Sequence, residues 1–572
     1  MKKIKLNKKI IDIINSSKFP YENKKDNKSI SRWMVILSSV IQQYKIISYS
    51  GANKYKQGNE DDPFVFLITP FVKVACIELL SSKGVFYASL NDQCRQDIEN
   101  QLVKKLVYIC SYTILTDFKE SQKLSNPVDV DVTEYVKKIY KNPLVFFKKY
   151  SVLARLLAMH TDYWIQSTFK MLKRLLTDYE QLNQKFFDEK DNVCHEDVIK
   201  SITEFQLNLS DPHEHGQTVA IISFNHGNKV VYKPKNMYAE YAFSEFIDWF
   251  NEQVGSMELK LNSVCVINKH TYGWSRFIPH VSCETDKNVE EFYKKIGMFG
   301  AIFYILRGSD YHYDNLIAHA NDPVFIDHEM LFYPLFIDRH NEEFKDKTIF
   351  EVQNNYYESV VGTRLFPIIE ERRSGKIGDI SAVGHFNANN INMALPFKNR
   401  EYQRVFKYKD MVVNGFEYAY KLMQKNKEYL QTERSPLHRF KELDVRFNMR
   451  STSTYLRIIY STIVPAALRN GIVYIDYIHR LRDQFPSVFS NGLPREIANQ
   501  ELMILSRLDA PRFTVNCTAR GLNKLDKTRF EEIFELSGYE LVLHRIKTLD
   551  DDALIEQKSY LIQSLNETGG AD

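Results

Sequence analysis

Two neighbouring segments in the middle of the chain carry the side chains that phosphoryl transfer needs. Asp310 and Asn315 have the Asp-x-x-x-x-Asn spacing of a kinase catalytic loop. Shortly after them, the apolar run Val324–Ile326 ends at Asp327. In kinases one carboxylate orients the attacking hydroxyl, while an amide and a second carboxylate hold Mg²⁺ on the phosphates. The pattern predicts Asp310 as a catalytic residue and Asn315 and Asp327 as Mg²⁺ ligands. Taken singly, the segment from Asp310 to Asn315 also fits an ordinary polar loop, and the run that ends at Asp327 also fits an ordinary edge strand.

A lysine suited to ATP phosphates stands earlier in the chain. The β-rich runs Thr218–Phe224 and Lys229–Lys233 are separated by Asn225–Asn228, which predicts a hairpin that ends at Lys233. Kinases place a lysine on such a strand of the small lobe to hold the phosphates. A solvated lysine at the end of a hairpin is the alternative. Lysine, catalytic loop and metal-binding aspartate follow one another in kinase order, and together they predict a divergent kinase that uses ATP and Mg²⁺.

The catalytic loop differs from that of ordinary protein kinases. His312 gives it the form Asp-x-His-x-x-Asn, which is closer to lipid-kinase-like enzymes. The sequence contains no glycine-rich phosphate loop of the kinase or P-loop type. Composition and spacing therefore lead to a divergent kinase and no further.

Secondary-structure patterns around these segments predict an α+β fold. Residues before about 205 have helical periodicity, and 120–126 is predicted to be a polar loop. One predicted helical face consists of Leu172, Leu175, Leu176, Tyr179 and Leu182.

After the hairpin, apolar residues at helical spacing predict helices over 239–250 and 292–303, with strands at 264–267 and 274–278 between them. We expect a divergent, lipid-kinase-like core with a small β-containing N-lobe and a helical C-lobe, flanked by helical N- and C-terminal regions. The expected divisions are a helical N-terminal region (1–205), the N-lobe (206–290), the C-lobe with an activation-segment-like insert (291–480) and a helical C-terminal region (481–572).

Composition narrows the class of protein. The chain has 572 residues and a net charge of +4, which argues against nucleic acid as the main partner because phosphate backbones need a concentrated basic face. No apolar run reaches membrane-spanning length, and no apolar signal-peptide core follows the N-terminal lysines. The seven cysteines are scattered, which predicts reduced thiols. We expect a cytoplasmic protein, with association to a membrane export complex left open.

Eight short motifs follow one another in a fixed order along the chain. They are Asp211-Pro212-His213, Val231-Tyr232-Lys233-Pro234-Lys235, Tyr272-Gly273-Trp274, Gly308–Asn315, Ile326–Phe332, Asp379-Ile380-Ser381, Arg446–Thr452 and Asp509–Phe513. Together they resemble the dehydratase domain of class II lanthipeptide synthetases, the LanM type. The resemblance extends from about residue 140 onwards, and the ordered set is highly specific.

The resemblance implies two reactions. Phosphoryl transfer from ATP to Ser or Thr of a ribosomal precursor peptide would use Lys233, Asp310, His312, Asn315, Asp327 and Glu329. β-Elimination of the phosphate, giving dehydroalanine or dehydrobutyrine, would use Asp211, His213, Arg446 and Thr452. A guanidinium matches phosphate in bidentate fashion, which suits Arg446 to the leaving group. The base that removes the Cα proton stays open between His213, Thr452 and Lys233.

Some positions differ from the family's usual pattern. His328 and Met330 stand where Leu and Thr are usual, and Ser451 stands where Pro often precedes the Thr. The family's C-terminal cyclase, with its zinc ligands, has no counterpart in this sequence, so we expect dehydration without ring closure. Ring closure would come from a separate cyclase or other tailoring enzyme as partner, or from a cyclase segment that is not part of this sequence. The precursor peptide would bind through a leader segment outside the active site.

Three other functions stay open. The chain could be a kinase that phosphorylates a peptide without elimination, or a lipid-kinase-like enzyme acting on a small alcohol. The third is a catalytically inactive scaffold that binds leader peptides, against which the intact set Lys233, Asp310, Asn315 and Asp327 argues. ATP consumption separates the scaffold from the enzymes.

Overall fold

A computed structural model shows an α+β protein, as predicted. It describes residues 8–22, 31–47, 63–81, 85–124, 131–187, 195–337, 358–371, 377–385, 392–485, 487–488, 494–524, 530 and 532–567. The chain divides into two compact units. The first unit comprises Met1–Pro234, Ser451–Pro486 and Leu493–Pro511, and the second comprises Lys235–Arg450, Ser487–Gly492 and Arg512–Asp572.

The first unit begins with helices. They are α1 (Lys8–Ser16), α2 (Arg32–Ile46), α3 (Pro63–Ser81), α4 (Val85–Ser89), α5 (Asp92–Leu124), α6 (Val132–Lys141), α7 (Pro143–Lys149), α8 (Ser151–Leu182) and α9 (His195–Ser201). Helices α2, α3 and α5 pack against α8. All five residues of the helical face predicted for α8 are buried, which confirms it. The loop predicted at 120–126 is wrong for residues 120–124, because α5 continues to Leu124, and residues 125–126 lie outside the described residues.

Three antiparallel strands follow in the first unit. They are β1 (Ile202–Gln206), β2 (Ala220–Phe224) and β3 (Lys229–Lys233). Strand β2 pairs with both neighbours, and its pairing with β3 places Ile221 opposite Val231. The predicted hairpin is therefore confirmed. Its turn contains Gly227 at a φ of 84°, a conformation that glycine adopts without steric cost.

The second unit mixes helices with two-stranded antiparallel hairpins. Its first elements are α10 (Tyr238–Gln253), β4 (Val266–Asn268), β5 (Gly273–Arg276), α11 (Asp286–Ile305), β6 (Leu316–His319), β7 (Asp322–Phe325), β8 (Ile369–Glu371), β9 (Ile377–Asp379), β10 (Phe397–Lys398), β11 (Glu401–Tyr402), α12 (Lys409–Lys425), α13 (Lys427–Leu430) and β12 (Asp444–Phe447). The pairs β4–β5, β6–β7, β8–β9 and β10–β11 are hairpins. Helices α10 and α11 confirm the helices predicted from apolar spacing, and β4 and β5 overlap the strands predicted at 264–267 and 274–278.

Helices α11 and α12 form the centre of the second unit, and two glycines allow them to approach closely. A Cβ atom at Gly297 would lie 1.9 Å from the carbonyl oxygen of Val412, and one at Gly415 would lie 1.9 Å from that of Lys294. Any larger side chain would force the helices apart. The buried helix α11 ends at Ile305, directly before the predicted catalytic loop, so this packing anchors one end of that loop.

The remaining elements alternate between the units. Helices α14 (Thr452–Thr462), α15 (Gly471–Asp483) and α16 (Arg495–Leu505) belong to the first unit. Strand β13 (Phe513–Asn516) and helices α17 (Gly538–Lys547) and α18 (Asp551–Glu567) belong to the second. Strand β13 pairs with β12 and sets Thr514 opposite Arg446. Within the part of the chain that the structure describes, no helix combines the length and apolarity that a membrane crossing requires.

Candidate functional site

The loop after α11 brings three of the predicted residues together. Asp310 has a φ of 67°, a left-handed conformation that is uncommon for a residue other than glycine and that persists where the surrounding structure holds it. The Asn315 amide donates a hydrogen bond to the carbonyl oxygen of Asp310 (2.9 Å), and the Nε2 atom of His312 lies 3.8 Å from an Asp310 carboxylate oxygen. Arg364 also contacts this carboxylate, with its Nη1 atom 3.3 Å from Oδ1. The loop therefore holds Asp310, His312 and Asn315 in one place, with a guanidinium beside the carboxylate.

Two carboxylates follow strand β7, and one lysine joins them. The Nζ atom of Lys235 lies 2.7 and 2.6 Å from the two carboxylate oxygens of Asp327, and 3.1 Å from Oε2 of Glu329. The backbone N–H of Ile326 donates to the Asn315 carbonyl oxygen (3.0 Å), which ties this segment to the catalytic loop. The predicted metal-binding segment and the predicted catalytic loop are thus neighbours.

Glu329 also binds two arginines from the paired strands β12 and β13. Its Oε1 atom accepts from Arg446 (2.6 Å), and its Oε2 atom accepts from Arg512 (3.1 Å). The backbone N–H of Arg446 donates to the Glu329 carbonyl oxygen (2.8 Å), which aligns the two segments. Three cations therefore converge on Asp327 and Glu329. We call these five residues the charge cluster: Lys235, Asp327, Glu329, Arg446 and Arg512.

Sequence reasoning missed Lys235 and Arg512 as parts of this site. Both stand inside motifs that carry the family resemblance, but neither type nor spacing assigned them a role. The contact between Arg512 and Glu329 joins residues 183 positions apart. The lysine that pairs with Asp327 is Lys235, two residues beyond Lys233, whose phosphate-binding role stays a prediction.

Opposite charges within the charge cluster shift the pKa values of three of its members. Burial by itself raises the pKa of Glu329, but Lys235, Arg446 and Arg512 hold it well below its usual range. Burial lowers the pKa of Lys235, yet Asp327, Glu329 and Glu240 together raise it above its ordinary value. The pKa of Arg446 is raised by Glu329 against the effect of burial. The opposite charges of Lys235, Glu329 and Arg446 therefore stabilise one another's ionised forms.

The donor atoms of this region suit a hard divalent cation. Mg²⁺ prefers carboxylate and amide oxygens, and Asp327, Glu329 and Asn315 offer these. The ammonium group of Lys235 contacts both carboxylates at once, which shows that the pair accommodates a shared cation. No cluster of three or more His, Cys, Asp or Glu side chains with metal-site geometry occurs among the described residues. A metal here would therefore be held by two carboxylates, an amide and the phosphates of a nucleotide.

The other predicted residues belong to the first unit. His213 pairs with Gln217 in a two-way bridge that closes a tight turn after Asp211 and Pro212. Lys233 is the last residue of β3 and is buried. Thr452 begins α14, next to the N-cap residue Ser451. Arg446, predicted to act with Asp211, His213 and Thr452, belongs to the charge cluster of the second unit, and the joint role of these four residues stays a prediction.

The structure explains one departure from the family pattern. His328 is buried, with its ring centroid 4.0 Å from that of Phe243 and its Nδ1 atom 3.1 Å from the Tyr311 hydroxyl. A ring that stacks on an aromatic core and hydrogen-bonds within it can replace an aliphatic residue. His328, which stands in the chain between Asp327 and Glu329, the two carboxylates of the charge cluster, thus packs into the aromatic core.

Replacing Glu329 with Gln is expected to destabilise the protein strongly, because it leaves Arg446 and Arg512, whose side chains are only 12% and 18% exposed, without their carboxylate. Losing one partner of a buried ion pair costs about 3–5 kcal/mol in the free energy of unfolding. The matched control is Glu417→Gln on α12, where a part-exposed carboxylate pairs with Lys421 and Lys558. Such surface pairs contribute about 1 kcal/mol or less. Urea denaturation of both variants measures the difference, and equal losses would show that the three cations do not depend on Glu329.

Comparison with known proteins places the chain in a family. A family model described as "Domain of unknown function (DUF4135)" matches residues 150–403 and 392–516, which is more than half of the chain, so the chain belongs to that family. The "Lacticin 481/lactococcin biosynthesis protein LcnDR2" of Lactococcus lactis subsp. lactis is 24% identical over 440 residues. The match covers 70% of this chain and 44% of that protein, so the chain spans less than half the length of this relative. These matches confirm the resemblance to LanM-type enzymes.

Proposed function

We propose that the chain is a lanthipeptide dehydratase. It phosphorylates Ser and Thr residues of a ribosomal precursor peptide with ATP and Mg²⁺, and then eliminates the phosphate. The observation that carries this proposal is the charge cluster, in which Asp327 and Glu329, two carboxylates suited to Mg²⁺, are joined by Lys235, and Glu329 also binds two arginines suited to phosphate. The name of the relative, a lacticin 481/lactococcin biosynthesis protein, supports the class of substrate.

In the phosphorylation step, Asp310 orients the Ser or Thr hydroxyl and accepts its proton. His312 acts beside Asp310 in the same loop, and Lys233 holds the ATP phosphates. Asn315 and Asp327 would hold Mg²⁺, assisted by Glu329, and the metal neutralises charge on the phosphates when it is bound. The lipid-kinase-like core, with an N-lobe at 206–290 and a C-lobe at 291–480, is part of the same proposal. Its support is the loop Asp310–Asn315 next to Asp327.

In the elimination step, a base removes the Cα proton of the phosphorylated residue. The C–H electron pair forms the Cα=Cβ double bond, and the Cβ–O bond breaks to release phosphate. Arg446 stabilises the departing phosphate through its guanidinium, and Asp211, His213 and Thr452 serve proton removal and enolate stabilisation. The contact between Arg446 and Glu329 supports this role, because a guanidinium that binds a carboxylate also fits a phosphate.

Mass spectrometry tests the proposal directly. The protein is incubated with ATP, Mg²⁺ and the precursor peptide encoded beside its gene, and the peptide mass is followed over time. We expect transient addition of phosphate followed by net loss of water at Ser or Thr. A reaction without ATP, which should leave the peptide unchanged, is the control. Phosphopeptide as the only product would identify a kinase, and an unmodified peptide without ATP consumption would identify a scaffold.

A further inference from the structure

The turn between Pro212 and Gln217 is held in an unusual backbone conformation. Glu214, His215 and Gly216 have φ angles of 45°, 73° and 75°, so three successive residues adopt the left-handed region. Only glycine occupies this region without steric cost, and the other residues stay there only when the surroundings hold them. The turn directly follows Asp211 and contains His213, two residues that we assign to elimination.

One carboxylate holds the strained part of this turn. The backbone N–H of His215 donates to Oδ2 of Asp509 (2.7 Å), and the backbone N–H of Gly216 donates to Oδ1 (2.9 Å). Asp509 is 3% exposed, so water does not replace these bonds easily. Burial raises the pKa of Asp509 to about 6, although the two N–H groups and the nearby Lys105 lower it. At neutral pH the group is therefore a buried carboxylate that accepts two backbone hydrogen bonds.

The residue after Asp509 orients the His213 ring. This residue is Ala510, and its backbone N–H donates a hydrogen bond to the carbonyl oxygen of Pro212 (3.3 Å). The carbonyl oxygen of Ala510 lies 3.0 Å from Nδ1 of His213. Because a carbonyl can only accept, Nδ1 carries the proton, and in the neutral ring the lone pair lies on Nε2. Four hydrogen bonds thus connect Asp509 and Ala510 to the turn and set both its backbone and the tautomer of His213.

We propose that Asp509 is a positioning residue for β-elimination: it holds the turn so that His213 presents Nε2 as the base that takes the Cα proton of the phosphorylated residue. This inference rests on the proposed dehydratase function and selects His213 among the three candidate bases. The proton moves from Cα to Nε2, the C–H electrons form the Cα=Cβ bond, and phosphate leaves with the electrons of the Cβ–O bond. Asp509 takes part in none of these transfers.

The test uses Asp509→Asn, which keeps the shape of the side chain but turns an NH₂ group towards one of the two backbone donors. Its substrate is the precursor peptide with one synthetic phosphoserine, so elimination is measured without phosphorylation. We expect kcat to fall about a hundredfold, the effect of misplacing a reacting group by about 1 Å, with KM nearly unchanged. Phosphorylation of the unmodified peptide should continue, because Asp310 and Asp327 belong to the second unit.

Asp117→Asn is the matched control for the loss of a hydrogen-bonded carboxylate with little exposure, since the Asp117 side chain is 13% exposed. Asp117 lies in the first unit and accepts hydrogen bonds from Tyr135, Lys149 and Tyr150, but it has no part in the turn. It should lower the midpoint of thermal unfolding without changing the ratio of elimination to phosphorylation. A merely structural role of Asp509 predicts the same behaviour for both variants.

A second variant changes a residue of the turn itself, at a position with open space around the side chain. Gly216→Ala has no atom within 4 Å of its new Cβ, so it adds only backbone strain at a φ of 75°. It should slow elimination in the same selective way and speed hydrogen exchange at the His215 amide. Wild-type elimination by both variants would overturn the role of Asp509. A wild-type protein that never eliminates phosphate would instead overturn the dehydratase function, so the two failures are distinguishable.

Discussion

Replacing Asp327 with Asn is expected to abolish ATP-dependent phosphorylation of the peptide while the fold is retained. In the proposed mechanism Asp327 binds the Mg²⁺ ion that neutralises the phosphates, and this contribution amounts to several kcal/mol. Since each 1.4 kcal/mol corresponds to a factor of ten in rate, the loss should be about a thousandfold or more. Lys235 keeps Glu329 and Glu240 as partners in the variant, which is why the surrounding structure should persist. The rate of phosphate transfer from labelled ATP to the peptide measures the effect.

Asp314→Asn is the control for this prediction. Its carboxylate lies in the same loop as Asp310 but is 69% exposed, so its loss should leave the phosphorylation rate close to that of the wild type. Circular dichroism and thermal unfolding check that both variants are folded. A folded Asp327→Asn variant that phosphorylates at the wild-type rate would remove the metal-binding assignment from the segment after β7.

Under the proposed mechanism, replacing Arg446 with Ala is expected to block elimination but not phosphorylation, so that phosphopeptide accumulates. The guanidinium is assigned to the leaving phosphate, and the loss of one charge-stabilising donor slows a reaction by roughly a hundredfold to a thousandfold. Phosphorylation should continue, because Glu329 keeps Lys235 and Arg512 as partners. Thr452→Ala should show the same accumulation. The peptide mass after incubation with ATP and Mg²⁺ gives the result, as gained phosphate in the variants against lost water in the wild type.

Arg439→Ala is the matched control for the loss of an arginine. Arg439 belongs to the same unit, is 61% exposed and pairs with Glu245, so its removal should change neither half-reaction. Normal dehydration by Arg446→Ala would show that the elimination role does not belong to this residue. Loss of phosphorylation as well as elimination would indicate that Arg446 acts through Glu329 on the nucleotide instead.

Local patterns in the sequence predicted the elements that carry the site. The spacing of apolar residues in α10 and α11 predicts which face each helix buries, and the β-rich runs on either side of Asn225–Asn228 predict a hairpin. These elements can be predicted from a short stretch of sequence, because the apolar residues that a helix or hairpin buries recur at a fixed spacing within that stretch. Asp310, Asn315 and Asp327 could be assigned to one site for the same reason, since the segments that carry them follow each other closely in the sequence.

The partners of those residues depend on the folded chain. Lys235 and Arg512 meet Glu329 from distant segments, and Asp509 supports a turn nearly three hundred positions earlier. Arg446 and Arg512 become neighbours only because β12 pairs with β13, and no local pattern encodes that pairing. The energy of a buried ion pair or a strained turn comes from groups that chain folding brings together, so it leaves no spacing signal. The sequence therefore contained the reactive groups, and the packing of the chain assigned their partners.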